Sequence, residues 1–522
     1  MNTFILAKAR HQAEDTTSRP ALMVALTLIS IIVAYLFSIL QDFLQTFLKR
    51  PRHFLPSKNI LQIFAKKTVD VPLVDLNADG DYKELLARGS NQYPDRPYKF
   101  KHFPGEVVIL PHKWMNEIKS APESKLSFQQ ASFDILVGVH TGITGHDLAM
   151  ASLIRRDVGR LLDRVYTIVD DEAMNALKDG IGPCEDWTEI LLLPKIVRII
   201  IKVSQRVFVG EPLCRDERWL ATIANCTSAA FSSVTTLWEY NWLTRPFVAW
   251  RHPGLLAVRK HKAEAREIMR PVLEERLKSL NDPSFKPPPD LIQLVIDGTK
   301  NGVGRTLDYQ VNAQIGTGRA ALFTTGVTVF HLIYDLCMHP EYVEPLRQEV
   351  LELGNVQMNR VNVAKLVKMD SFIRECQRWS KFMLIGTMRK VIQPLKLPDG
   401  MVLPVGTLIA VDTQNAVFDH SSLESPEKFD GFRFAKLREI EGNGNSFQAV
   451  STGPDHLVFG YGSQACPGRF FAIHEAKVTL ARLLLNYEFK LKEKPVASPM
   501  ARTIGVLTVA DPSVKFLFKA RK

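Results

Sequence analysis

Cys466 is flanked by residues that change what a thiol can do. The stretch Phe459-Gly-Tyr-Gly-Ser-Gln-Ala-Cys466-Pro-Gly468-Arg469 sets glycines on both sides of the sulfur and leads into apolar, helix-periodic sequence. A thiol at the start of a helix meets unpaired backbone N–H groups and the positive end of the helix dipole. Both favour the thiolate, the form that binds metals and attacks electrophiles. Gly460, Gly462 and Gly468 let the backbone approach something flat and bulky. A thiolate cradled by amides beside a planar group is how a haem iron takes a cysteine ligand. The plain alternative is a buried free cysteine in a glycine-rich turn. Two dinucleotide-like spacings, Gly460-x-Gly462-x-x-Ala465 and Gly316-x-Gly318-x-x-Ala321, lack a preceding βα strand and are chance matches.

Phe459 to Gly468 resembles the haem-binding loop of the cytochrome P-450 family, F-x-x-G-x-[R/H]-x-C-x-G. Phe459, Gly462, Cys466 and Gly468 match it, and Gln464 stands where the family usually has a basic residue. The resemblance implies that Cys466 is the axial ligand of a haem b iron. It also implies that Phe459, Gly462, Gln464 and Gly468 contact that haem, with Gln464 able to hydrogen-bond a propionate without offsetting its charge.

A helix must carry the opposite wall. Val311 to Leu336 reads as a long, mostly apolar helix whose centre holds glycines and the pair Thr324-Thr325, all poor helix formers. Such a helix passes close to something and opens its hydrogen-bond ladder there; plain threonine back-bonding within a core helix is the alternative. Ala320-Ala-Leu-Phe323-Thr324 resembles the family's distal motif A-G-x-[D/E]-T. Thr324 is then the catalytic residue that organises proton delivery to dioxygen. Phe323 replaces the acid, and a phenyl ring cannot relay protons. It reads as apolar lining.

Other elements hold the loop in place. Glu375 and Arg378 lie i,i+3 on a helix and can pair, with Phe372, Ile373 and Trp379 pointing to burial. They match the family's E-x-x-R, and Arg433 matches the later arginine of that structural network. Lys381 to Val391 alternates like a strand. Within it Arg389 resembles the arginine that pairs with a haem propionate, against the alternative of an exposed strand residue. Met383, Leu384 and Ile385 are candidate walls of the substrate pocket or ordinary core.

The chain has 522 residues, is 46% hydrophobic and carries a net charge of +11. No Lys/Arg run points to nucleic acid, so the charge is a solvated basic surface or a docking face for an acidic electron-transfer partner. The six cysteines form no C-x-x-C pair, which argues for a reducing compartment and against zinc or a disulfide framework. No charge falls between Arg19 and Asp42, and the apolar stretch 20–41 is long enough to cross a bilayer core. Residues 42–58 place Phe43, Leu44, Phe47 and Leu48 on one face, suited to the membrane interface. Tyr240, Trp242 and Phe247, between Trp238 and Trp250, form either a second membrane contact or ordinary packing.

The expected protein is mainly α with small β-sheets (α+β), a cytochrome P-450 fold over 59–522. It follows a lumenal segment 1–19, a single transmembrane anchor 20–41 and an interfacial linker 42–58. Leu148 to Leu193 and Val197 to Leu280 are read as largely helical. The resemblance implies an endoplasmic reticulum membrane enzyme with a cytosolic catalytic domain, so the sequon Asn225-Cys-Thr227 carries no glycan. It implies a monooxygenase that uses O2 and electrons from NADPH through a partner NADPH-cytochrome reductase, acting on a lipophilic small molecule. Arg206–Arg215 and Tyr334–Glu349 resemble segments of fungal members that oxidise terpenoids and alkaloids in secondary metabolism. Two other readings stay open: a haem-thiolate isomerase, dehydratase or desaturase, and a catalytically silent haem-binding membrane protein.

Overall fold

The computed structural model describes residues 70–521 apart from 78, 103–104, 144–147, 242, 355, 414–422 and 494–501. The expected membrane span 20–41, the interfacial stretch 42–58 and Trp242 lie outside the described residues.

Two regions divide the work. The first begins with α1 (Tyr82–Gln92), β1 (Tyr98–His102), β2 (Gly105–Leu110), β3 (Leu126–Ser127) and α2 (Phe128–Ile135). The helical region follows, built chiefly from α3 (Gly159–Ile181), β4 (Thr188–Leu191), α4 (Leu192–Phe208), α5 (Glu217–Trp238), α6 (Pro253–Ser279), α7 (Leu307–Met338) and α8 (Val367–Trp379). The chain then returns to the sheet with β5 (Ile385–Val391) and β6 (Leu408–Asp412). After the Cys466 loop come α9 (Arg469–Asn486), β7 (Tyr487–Leu491), the strand pair β8 (Arg502–Ile504) and β9 (Leu507–Val509), and β10 (Lys515–Ala520).

The larger sheet runs β1-β2-β6-β5-β3. β2 and β6 are parallel, and the other pairings are antiparallel. A second, three-stranded antiparallel sheet runs β4-β10-β7. The expected helical stretch Leu148 to Leu193 is therefore interrupted by a strand: Ile190 of β4 is buried while its neighbours face solvent. Four residues are too few for alternation to show above the helical pattern around them.

α7 is the axis of the helical region. α4 packs between it and α3, and Ile196, Ile199, Ile200, Val203 and Val207 recur at three- and four-residue spacing as buried residues of α4. α7 is long and apolar enough to cross a bilayer, but 67% of its most apolar window is buried within the protein, so here it is a core helix. The expected opening of its ladder is absent: α7 is helical without interruption from Leu307 to Met338. Its small residues serve close packing instead. A side-chain carbon at Gly326 would lie 3.0 Å from Val197 of α4.

Candidate functional site

The loop before α9 is shaped by one glycine above the others. Gly462 sits at φ +80, and a Cβ there would lie 2.0 Å from the carbonyl oxygen of Lys119. Only glycine permits that approach. Cys466 N–H donates to Phe459 O at 2.8 Å, closing the loop on itself. The backbone N–H groups of Gly468 and Arg469, at the start of α9, donate to the Cys466 sulfur. The expected net preference for thiolate is not met by the protein alone. Burial pushes the Cys466 thiol up, and the two amides and the Arg469 guanidinium pull it down by less. A coordinating metal would complete the deprotonation.

A cavity of about 1230 Å³ opens on this loop and is lined by both Cys466 and Thr324. That exceeds the roughly 300–1,000 Å³ of ordinary ligand pockets, leaving room for a large flat group and a second molecule. Phe459, Gly460, Gln464 and Gly468 also line it, and a side chain at Gly468 would meet no protein atom within 4 Å. On the opposite wall Thr324 Oγ1 donates to Ala320 O at 2.9 Å, so its lone pairs remain as acceptors toward the cavity. Phe323 is 40% exposed, lines the same cavity, and meets Phe231 of α5 edge to face at 6.1 Å. Thr325 also borders the cavity although it is buried.

Gln464 is not free for a propionate. Its Oε1 accepts from Phe128 N–H at 3.0 Å, and its Nε2 donates to Leu126 O at 2.7 Å and Ala121 O at 3.2 Å. Both amide hydrogens are spent on backbone, so the side chain clamps residues 121–128 to the Cys466 loop. Arg389 is buried rather than exposed. It lies over the Phe128 ring, donates to Met388 O, and has no ion-pair partner among the described residues. Burial lowers its guanidinium to about 10, with Glu123 opposing that shift. Met383 and Ile385 line the cavity, but Leu384 does not. Alternation turns Leu384 into the core beside the sheet, its N–H donating to Val506 O at 2.9 Å.

Glu375 and Arg378 form two parallel hydrogen bonds of 2.7 and 2.8 Å, both side chains buried. Arg433 Nε lies 3.5 Å from Glu375 Oε1, and the same oxygen accepts from Asp430 N–H. The arginines then bind carbonyls of the segment 424–428: Arg378 takes Pro426 O and Lys428 O, and Arg433 takes Glu424 O, Ser425 O and Lys428 O. One carboxylate thus ties α8 to a loop about fifty residues on.

Several lining residues escaped sequence reading. Arg155 sits in a short π-helical turn, borders the cavity and weakens the proton affinity of Arg469. Thr387 adopts φ 53, unusual for a β-branched residue, within a register shift of β5. Its hydroxyl is buried without a hydrogen bond and borders the cavity. Trp238 lines the cavity and donates to Ile135 O, whereas Phe247 and Leu243 nearby are exposed. Arg319, one helical turn before Phe323 on α7, also lines the cavity.

The donor set and the shape fit a cysteine-ligated haem: a sulfur fed by two amides, open space at Gly468, and buried Arg389 with no carboxylate partner among the described residues. The comparisons agree. The family model described as "Cytochrome P450" matches residues 166–518. Cytochrome P450 monooxygenase BOA4 of Botryotinia fuckeliana is 35% identical over 465 residues, covering 87% of this chain and 92% of that protein. Cytochrome P450 monooxygenase ORF5 of Penicillium roqueforti is 33% identical over 451 residues, covering 84% and 82%. Cytochrome P450 monooxygenase braC of Annulohypoxylon truncatum is 31% identical over 484 residues, covering 91% and 95%. The fold is similar to that of cyanobacterial CYP120A1 with retinoic acid bound, at a TM-score of 0.65 and 16% identity, covering 87% of this chain and all of that one.

Fold and site define a haem-thiolate oxidoreductase. The chain belongs to the cytochrome P450 family, and it is a monooxygenase.

Proposed function

We propose that this monooxygenase oxidises a lipophilic small molecule of fungal secondary metabolism, of terpenoid or indole-alkaloid type. Electrons come from NADPH through an NADPH-cytochrome reductase. The enzyme is held at the endoplasmic reticulum membrane by residues 20–41, with exposed Phe247 and Leu243 as a second membrane contact. The observation that carries the oxidative reading is that one cavity is bordered by both Cys466 and Thr324.

Bound haem supplies dioxygen activation and one-electron chemistry, with the thiolate as the electron-rich ligand. The chain's own residues divide the remaining tasks. Cys466 would ligate the haem iron, and Arg389 and Arg155, which border the cavity, are the cations that would hold the haem carboxylates. Thr324 Oγ1, kept in one rotamer by its bond to Ala320 O, holds a proton or accepts one at that atom. Phe323 puts no proton-carrying group beside Thr324, so protons arrive through Thr324, Thr325, water or the substrate itself. Glu375, Arg378 and Arg433 are structural.

The loss of the acid at position 323 favours one alternative, a reaction that leaves no oxygen in its product. Turnover with a reductase under labelled dioxygen separates the two. Label in the product is the expected result, and consistent absence of label would replace oxygenation by desaturation, isomerisation or dehydration.

A further inference from the structure

The charges around the cavity do not balance. Among the described lining residues Arg155, Arg319, Arg378, Lys381 and Arg389 are basic, and Glu123 is the acid. Most of these cations already have a task. Arg378 belongs to Glu375, Lys381 Nζ donates to Thr413 O, and Arg389, which feels Glu123 without forming an ion pair, is assigned to the haem carboxylates above. Arg155 lies near Arg469, at the Cys466 end.

Arg319 is different. It sits on α7 among apolar wall residues, and among the described residues its guanidinium makes no hydrogen bond and no ion pair. Its electrostatic neighbours are the Cys226 thiol of α5 and, through mutual repulsion, the Lys262 ammonium of α6. Lys262 Nζ reaches Asn312 Oδ1 at 3.3 Å, and Asn312 lines the cavity two turns before Arg319. Between them Gly316 also lines the cavity, and a side chain there would meet no atom within 4 Å. The helix wall is thus polar and positive toward Asn312, and apolar from Ala320 through Phe323. Burial lowers the Arg319 guanidinium below its usual value, the cost of a charge lacking a counter-ion.

We infer that the substrate carries a carboxylate, and that Arg319 binds it at the Asn312 end of the cavity while the apolar remainder extends past Phe323 toward Thr324 and Cys466. This rests on the monooxygenase reading above and adds the substrate's chemical class. Arg319 and Thr324 are five residues apart, about 7.5 Å along the helix axis. The oxidised carbon therefore lies several bonds from the carboxylate, and Arg319 fixes which carbon is presented. A guanidinium takes a carboxylate through two parallel hydrogen bonds, which gives orientation as well as affinity.

The test uses full-length, haem-loaded protein and matched probes: dodecanoic acid with its methyl ester, and a tricyclic diterpene acid with its methyl ester. Binding is read from the shift of the haem absorption band on titration. One charged hydrogen-bonded pair corresponds to roughly tenfold or more in affinity. At least one acid is expected to bind about tenfold tighter than its ester. Arg319→Gln should erase that preference with little change for the ester, and Arg319→Lys should keep part of it. An unchanged preference in Arg319→Gln overturns the inference, as does a wild-type protein that favours neither acid or binds neither. The carbon monoxide spectrum of each variant is recorded alongside. If it lacks the thiolate signature, the haem-thiolate reading has failed instead, and the two failures are told apart.

Discussion

Gln464 spends its side-chain amide on Phe128 N–H, Leu126 O and Ala121 O, groups more than 330 residues away in sequence. Its substitution therefore reports on the clamp between that segment and the Cys466 loop. Gln464→Ala strands three backbone groups at about 1 kcal/mol each, so a loss of roughly 2–3 kcal/mol is expected. Thermal unfolding of the haem-loaded protein measures it, and an unchanged midpoint would contradict the clamp. The contrast with Glu375 and Arg378 shows what sequence conveys at this scale. Their pairing was legible because helix geometry sets i,i+3 neighbours side by side. The partners of Gln464 were not, because nothing local encodes a contact across the fold. The same holds for Leu384, whose side chain turns from the cavity because β5 and its preceding residues alternate.

Between elements, α4 and α9 meet through a buried carboxyl. Glu475 of α9 accepts from Ser204 Oγ of α4 at 2.7 Å, and its other oxygen has no hydrogen-bond partner. Burial raises its carboxyl from 4.5 to about 8. The folded protein then holds a proton that the unfolded chain releases near 4.5. Stability from this group is complete below that pH and is lost as pH rises through about 8. Glu475→Gln keeps an acceptor for Ser204 and removes the ionisation. The variant should lose less of its unfolding midpoint than wild type between pH 5 and pH 9, and it should be the more stable of the two at pH 9. Parallel pH curves would show that Glu475 does not titrate against folding. At this scale α7 was legible from composition alone, since glycines, threonines and apolar residues over some 30 positions leave little choice but a buried helix. Its unbroken ladder was not, because threonine back-bonding and close packing against Val197 accommodate the same residues without opening it. β4 was hidden by its brevity.

Over the whole molecule the cavity joins residues from nearly every part of the described chain, from Tyr82 to Val509. No window of sequence displays such a surface. Cys466 with Phe459, Gln464 and Gly468, Thr324 with Phe323, and Arg389 with Met383 and Ile385 were legible as its lining, because each group sits in a local pattern with its own chemistry. Arg155, Thr387 and Arg319 become visible once α7, β5 and the turn before α3 are brought together. The central claim is that the Cys466 sulfur ligates the haem that fills this space. Reduced, haem-loaded protein exposed to carbon monoxide should give the long-wavelength Soret band of thiolate ligation, and Cys466→Ala should lose that band. An alanine variant that retains the band would contradict the account at its foundation.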